Sequence, residues 1–110
     1  MNYTQEQVNA IVQEALVEAR KGAEAALAKY GDRDDCGFAW TNIYKVKGNT
    51  KLGKMLKAAG VRQDYTKAFQ LWNPAKLPVQ SLSVLEAGAQ AAADVFRKYG
   101  FEAYAGSRLD

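Results

Sequence analysis

The sequence contains no histidine, a single cysteine and two prolines. Without histidine, Ser-His-Asp and Cys-His catalysis are excluded, as are zinc sites built on histidine or on several cysteines. One cysteine cannot form an internal disulfide, which is typical of a protein from a reducing compartment. We therefore expect a non-enzymatic protein that uses no cofactor and binds no metal.

Long apolar segments are also lacking. No apolar run approaches the roughly 20 residues of a membrane-spanning helix, and the N-terminal run MNYTQEQV has none of the basic and apolar character of a secretory signal. These absences predict a cytoplasmic protein without membrane association. With 110 residues, 48% hydrophobic and 25% charged, the chain has the size and composition of one folded domain. We expect a single domain over residues 1–110, with an N-terminal helix over 1–31 and an α/β core over 36–110.

Positive charge is concentrated in the middle of the chain, although the net charge of the whole is only +3. Residues 45–76 have a net charge of +7 with one acid, Asp64, whereas residues 1–35 carry −3 and residues 77–110 carry −1. The basic residues of this middle region are Lys45, Lys47, Lys51, Lys54, Lys57, Arg62, Lys67 and Lys76. A concentrated basic surface attracts anions and speeds their capture. The sequence therefore predicts an anionic partner, and the alternative is a solvated surface that keeps the protein soluble.

The first helix has clear signals at both ends. Thr4 and Gln7 form a capping box, and Gly31 stops the helix after Tyr30. Between these ends the apolar residues recur at spacings of three and four, which predicts one buried face. We expect this face to pack across a sheet, or alternatively to form the seam of a homodimer.

Three strands and two further helices follow. Residues 36–46 and 65–72 are rich in aromatic and β-branched side chains and predict strands, with a short helix over 51–59 between them. Along 36–46 the large side chains alternate with small ones, which is expected where a helix presses closely on the small side. A capping box at residues 83–86 opens a helix that ends near Tyr99, and residues 101–105 predict a third strand.

The predicted fold is therefore α+β, or a small α/β fold, in the order α-β-α-β-α-β. A three-stranded sheet is packed by helices, with a long helix at the N-terminus. The segment from the second strand to the third is compatible with a right-handed parallel crossover.

Several short runs stand out together once the strands are placed. They are CGFAW at residues 36–40, LWNP at 71–74, QS at 80–81, EAGA at 86–89 and SRLD at 107–110. As a set they resemble a group of small, largely uncharacterised proteins encoded by bacteriophages and prophages, and the resemblance covers about residues 32–110. It implies a virus-derived accessory protein in the cytoplasm of an infected bacterium. It implies no particular activity and no catalytic residues.

The candidate binding residues follow from the charge pattern. Contact with phosphates or another anion is predicted for Lys45, Lys47, Lys51, Lys54, Lys57, Arg62, Lys67 and Arg108. Among the aromatic residues, Tyr65 and Trp72 are candidates for stacking on bases. We assign Phe38 and Trp40 to the hydrophobic core, because a chain this small needs large side chains inside.

Three further features have a functional and a structural interpretation. Arg108 with Asn73, Gln80 and Ser81 could form an anion pocket beside a helix N-terminus; the alternative is that the polar loop residues cap the helix and Arg108 pairs with Asp110. The run of Asp32, Asp34 and Asp35 lacks the ligand count and spacing of a calcium loop and predicts a solvated turn. Cys36 is expected to be a packed strand residue.

Three hypotheses for function remain. The first is a non-enzymatic accessory protein that binds nucleic acid or a nucleotide-like ligand through the basic surface of residues 45–67. The second is a protein-interaction module that inhibits or redirects a host protein by docking on an acidic surface. The third is an enzyme that acts on a phosphorylated small molecule, against which the absence of histidine counts.

Overall fold

The computed structural model describes residues 2–33 and 35–110. In chain order the elements are α1 (Gln5–Tyr30), β1 (Gly37–Tyr44), α2 (Lys51–Ala58), β2 (Arg62–Gln63), β3 (Phe69–Trp72), α3 (Leu82–Lys98) and β4 (Glu102–Leu109). The described strands form a four-stranded sheet in the order β2-β3-β1-β4, and every neighbouring pair is antiparallel. The α+β class and the long N-terminal helix are confirmed, whereas the expected count of three strands is wrong.

A tight turn centred on Asp64 accounts for the additional strand. The Asp64 Oδ1 atom accepts hydrogen bonds from the backbone N–H of Thr66 at 2.9 Å and of Ala68 at 3.0 Å, and Lys67 adopts a φ of 68°. Side chains of Asp that bond the backbone a few residues later favour turns over extended structure. The segment predicted as one strand over 65–72 therefore contains the turn and the second strand of a hairpin, β3, whose first strand is β2.

The C-terminal strand is longer than the one predicted over 101–105 and continues to Leu109. β4 pairs with β1 over its whole length, from Gly37 opposite Leu109 to Tyr44 opposite Glu102. Because β1 lies between β3 and β4 and is antiparallel to both, β3 and β4 run parallel to each other, as expected of a parallel crossover through α3, but they are not paired directly. From β1 onward the order β-α-β-β-α-β is that of ferredoxin-like domains.

The predicted helix signals of α1 are confirmed. The Thr4 side chain accepts from the Gln7 N–H while the Gln7 side chain accepts from the Thr4 N–H, and Gly31 ends the helix with a φ of 74°. At α3 the cap lies earlier than expected, because Ser81 rather than Ser83 accepts from the Val84 N–H. Both helices therefore begin at side-chain caps that satisfy otherwise unpaired backbone donors.

Helices α1 and α3 pack against each other through small side chains. A Cβ atom added to Gly88 would lie 2.8 Å from the Ala75 Cβ and 3.1 Å from the Ala19 carbonyl oxygen, and one added to Gly22 would lie 3.1 Å from the Ala91 Cβ. The buried stripe of α1 is Val8, Ile11, Val12, Ala15, Ala19 and Ala23. The stripe packs against α3 and α2 instead of lying directly on the sheet as expected, although its first residues belong to the same core cluster as strand residues.

The homodimer through α1 stays a prediction, and its proposed seam lies inside the folded chain. No helix in the described part of the chain has the length and apolar character needed to cross a bilayer.

The sheet has one face covered by helices. On that face Ala39, Thr41 and Ile43 of β1 are buried, and the Thr41 hydroxyl donates to the carbonyl oxygen of Ala89 on α3 at 2.9 Å. A core of Phe69, Phe96, Leu56 and Ile43 fills the space between sheet and helices. The other face of the sheet is covered by none of the described helices.

Candidate functional site

The uncovered face of the sheet, here called the open face, presents aromatic and arginine side chains in rows. Strand registers place Trp72 opposite Trp40, and Trp40 opposite Gly106 in the next strand. The adjacent rows hold Arg62, Gln70, Asn42 and Tyr104, then Phe38 with Arg108, and Tyr44 with Glu102. Because alternate residues of a strand share a face, these side chains lie on one surface although they come from four strands.

Two tryptophans form the centre of the open face. The rings of Trp40 and Trp72 are parallel within 5°, with centroids 5.4 Å apart. The Phe38 ring lies 5.9 Å from Trp72 and is tilted against it. Trp40 also leans over Gly106, where an added Cβ would lie 2.5 Å from the indole Nε1. Only glycine at that position leaves room for the indole so close to β4.

Guanidinium groups border these rings. The Cζ atom of Arg62 lies 5.8 Å from the centroid of Trp72, and that of Arg108 lies 5.3 Å from the centroid of Phe38. Both distances are within the range of cation–π attraction. A third guanidinium, from Arg97 at the end of α3, lies 5.5 Å from the ring of Tyr104. The open face therefore combines planar rings with positive charge.

Beside the tryptophans lies a polar pair of amides. The Gln70 Nε2 donates to the Asn42 Oδ1 at 3.4 Å and to the Asp64 Oδ2 at 3.3 Å. The Asp64 Oδ1 accepts from the backbone N–H groups of the turn, so one carboxylate oxygen bonds the turn and the other bonds Gln70. The Thr66 hydroxyl is the largest cause that lowers the pKa of Asp64; burial opposes it, and backbone N–H groups add to it. The single acid of the basic region is therefore ionised at neutral pH.

A basic groove opens between α2 and the β2–β3 turn. Its volume is about 990 Å³. This lysine groove is lined by Val46, Lys47, Gly48, Asn49, Lys54, Lys57, Gln63, Asp64, Tyr65 and Lys67. The Tyr65 side chain is 97% exposed in the turn. Since Asp64 lines the groove and also bonds Gln70 on the open face, the two regions adjoin.

The predicted anion-binding residues divide between these two regions. Lys47, Lys54, Lys57 and Lys67 line the groove, while Arg62 and Arg108 lie over rings of the open face. Lys51 is exposed on α2 without lining the groove. Lys45 ends β1 and forms an ion pair with Glu102 at 3.2 Å.

The structure changes the roles of several aromatic and polar residues. Phe38 and Trp40 are half-buried on the open face, so the expectation that they belong to the core is wrong. Tyr65 is in a turn rather than a strand, and Trp72 stacks on Trp40. Sequence reasoning missed Asn42, Tyr44, Gln70, Tyr104 and Arg97 as parts of the site. Alternation within β1 already placed Asn42 and Tyr44 beside Trp40, whereas the others required the strand pairing.

The predicted anion pocket beside α3 does not form. The backbone N–H groups of Gln80 and Ser81 donate to the Asp32 carboxylate at 3.3 and 2.7 Å, so a side chain of the protein already supplies the anion. Arg108 lies over Phe38 instead of reaching this loop or pairing with Asp110.

Neither Cys36 nor the acidic run forms a site. Cys36 is exposed, not packed as expected, and its Sγ lies 3.3 Å from the Gln80 Oε1. Of the acidic run, Asp34 lies outside the described residues. Within residues 2–33 and 35–110 no three metal-ligating side chains come together.

The chemistry of the open face and groove is that of recognition: stacking on rings, hydrogen bonds from amides and attraction of negative charge. Exposed rings bind flat apolar surfaces, and guanidinium and ammonium groups bind anions. No protein-family model, no curated protein and no solved structure matches this chain.

Proposed function

We propose that this protein is a non-enzymatic protein that binds single-stranded nucleic acid. Bases stack on the rings of the open face, and the lysine groove holds the phosphates of the same strand. The observation that supports this most is the arrangement of side chains along β1. The large rings of Phe38 and Trp40 point outward, while the smaller Ala39 and Thr41 face the helices. A sheet with this composition on its uncovered side is suited to contact with a partner.

Stacking and charge each contribute to affinity. A base stacked on an aromatic side chain contributes roughly 1–3 kcal/mol to binding, whatever its identity. Lysines that neutralise phosphates add an electrostatic contribution to the affinity, and this contribution weakens as the salt concentration rises. Four-stranded sheets of RNA-recognition motifs use aromatic residues of the sheet in the same way to stack two or three bases.

Geometry favours a single strand over a duplex. Rings that lie on a sheet surface can stack only on bases that are not already stacked in a helix. The groove adjoins the open face at Asp64, so a strand that crosses the rings can continue between Lys54 and Lys67. Within this proposal, the protein acts as a phage-derived accessory protein in the bacterial cytoplasm.

Fluorescence anisotropy with short labelled oligonucleotides tests the proposal. We expect the protein to bind single strands and to prefer them to the same sequence in a duplex. Trp40→Ala and Trp72→Ala should each weaken binding by about 5- to 150-fold, the equivalent of one lost stack. The matched control is Tyr30→Ala, which removes an exposed ring at the end of α1, outside the sheet. Absence of binding, or equal losses in all three variants, would contradict the proposal.

A protein-interaction module is the second candidate. The observation that favours it is that tryptophan, tyrosine and arginine, the residues of the open face, are also those enriched at the centres of protein interfaces. Capture from bacterial lysate before and after nuclease treatment separates the two functions. A partner that survives nuclease and is lost with Trp40→Ala would establish the second candidate in place of the first.

A further inference from the structure

The carboxylate of Asp64 fixes the direction of two amides on the open face. A carboxylate can only accept hydrogen bonds, so the group that Gln70 turns toward Asp64 Oδ2 is its Nε2. The same Nε2 donates to Asn42 Oδ1, which turns the Asn42 oxygen toward Gln70. The carboxylate of Asp64 therefore fixes which atom of Gln70 is the donor, and Gln70 in turn fixes the orientation of the Asn42 amide.

One acceptor and one donor remain for a ligand. No described residue donates to the Gln70 Oε1 or accepts from the Asn42 Nδ2. The Asn42 Nδ2 lies beside Gly106, where an added Cβ would be 2.9 Å away, in the row next to the two tryptophans. A base stacked on those rings would bring its edge to this pair.

We propose that Asn42 and Gln70, oriented by Asp64, read the base and select those with an amino group, adenine and cytosine. Adenine and cytosine each present an amino donor next to a ring-nitrogen acceptor, the complement of a free amide oxygen and a free amide N–H, whereas thymine presents a carbonyl acceptor where these bases have the amino group. The Hoogsteen edge of guanine offers two acceptors and fits the pair poorly. This inference rests on the proposed function and adds the base preference of the same face.

The variant Asp64→Asn tests the orientation directly. Three donors of the turn meet Oδ1, from Thr66 N, Thr66 Oγ1 and Ala68 N, and Asn retains an oxygen for them. At the position of Oδ2, however, Asn presents an N–H₂ group, so Gln70 must turn its Oε1 toward it. Asn42 then turns as well, and the donor and acceptor exchange places without loss of the hairpin.

The experiment compares affinities for short adenine, cytosine and thymine homopolymers. Wild-type protein should prefer adenine and cytosine to thymine by about fivefold or more, the smaller end of what one bidentate contact provides. Asn42→Ala, Gln70→Ala and Asp64→Asn should each abolish that preference while binding of the thymine homopolymer persists. Glu24→Gln is the matched control for the lost charge, because Glu24 pairs with Arg20 on α1, and it should retain the preference.

The outcomes separate the two proposals. Failure of all homopolymers to bind overturns the proposed function and this inference together. Binding without a preference for adenine and cytosine over thymine, or a preference that Asp64→Asn leaves unchanged in a protein with wild-type circular dichroism and urea midpoint, overturns only the inference. If Asp64→Asn unfolds the hairpin, the base preference of Asn42→Ala and Gln70→Ala tests the inference instead, since neither side chain bonds the backbone of the turn. A preference that both variants retain overturns the inference.

Discussion

The two faces of β1 carry side chains of different size, and the larger aromatic ones lie on the face exposed to solvent. Toward the helices the strand presents Ala39, Thr41 and Ile43, and toward solvent it presents Phe38, Trp40 and Tyr44. Large apolar side chains normally lie inside and small or polar ones outside. The covered face follows from packing, because α3 approaches closely enough for Thr41 to bond its backbone. None of the described helices packs on the exposed face, and its composition is the basis of the proposed contact with a partner.

The two kinds of cation on this surface are also separated. Arginines lie over rings of the open face, whereas lysines line the groove. A guanidinium is planar and weakly hydrated and stacks on aromatic faces, while an ammonium is a compact, strongly hydrated charge. In the proposed function, this difference matches bases to the first region and phosphates to the second.

The largest effect should come from comparing a core ring with an open-face ring. Phe69→Ala should lower the free energy of unfolding by about 3–5 kcal/mol, because Phe69 is 0% exposed and its removal leaves a cavity. Trp40→Ala should cost less than half as much, since the indole is half-buried on the open face. Urea denaturation of both variants measures this; equal losses would show that the open face belongs to the core.

The second prediction concerns the groove. Lys54→Glu with Lys57→Glu should weaken binding of single strands and reduce the slope of log affinity against log salt by about 1.4, or 0.7 for each lost phosphate contact. Anisotropy over a series of salt concentrations gives the slope. Lys29→Glu near the end of α1 is the control and should leave it unchanged. An unaltered slope in the groove variant would show that Lys54 and Lys57 do not contact the phosphates.

A third prediction tests the support beneath Trp40. Gly106→Ala places a methyl group where the Trp40 Nε1 lies 2.5 Å away, so the indole must move off the strand. We expect a stability loss of about 1 kcal/mol, the low end for overpacking because the ring can shift toward solvent, together with weaker binding and altered tryptophan fluorescence. Ser107→Ala on the same strand is the control. Normal fluorescence and binding in Gly106→Ala would contradict the packing described.

The smallest effect is a pH dependence on the helix side. Hydrogen bonds from Lys98 and then Tyr99 lower the pKa of Glu14, against the opposing effect of burial, and join α1 to α3. A carboxyl with a lowered pKa stabilises the fold above its ordinary pKa and loses this contribution as the pH falls through the lowered value. Thermal unfolding should therefore show an acid-side loss that is smaller in Glu14→Gln and unchanged in Glu24→Gln.

On the alkaline side the sign is reversed. The hydrogen bond to Glu14 is the largest cause that raises the pKa of both Lys98 and Tyr99. Their contribution is complete below the ordinary pKa values and is lost as the pH rises through the raised ones. Because the open face takes no part in this cluster, Glu14→Gln should leave the affinity for single strands at neutral pH unchanged; a changed affinity would mean that the two sides are coupled.

Much of the fold could be predicted because its signals are local. The capping box of Thr4 and Gln7 and the stop at Gly31 set α1, and the alternation of β1 identified its small, helix-facing side. The fourth strand was missed because one side chain decides it: Asp64 bonds the Thr66 and Ala68 N–H groups and bends a segment whose composition is typical of a strand. The length of β4 was missed because Gly106, which weakens a strand by itself, is extended only through pairing with β1.

The sequence by itself determined the charge of the middle region, the helix ends and the two-sided character of β1, since these depend on residues a few positions apart. Only the tertiary structure decided that no described helix covers the large side of β1 and which residues share this open face. Trp72 lies opposite Trp40, and Arg108 opposite Phe38, through pairing between segments far apart in the chain. Strand register depends on the whole core, so no local pattern contains it.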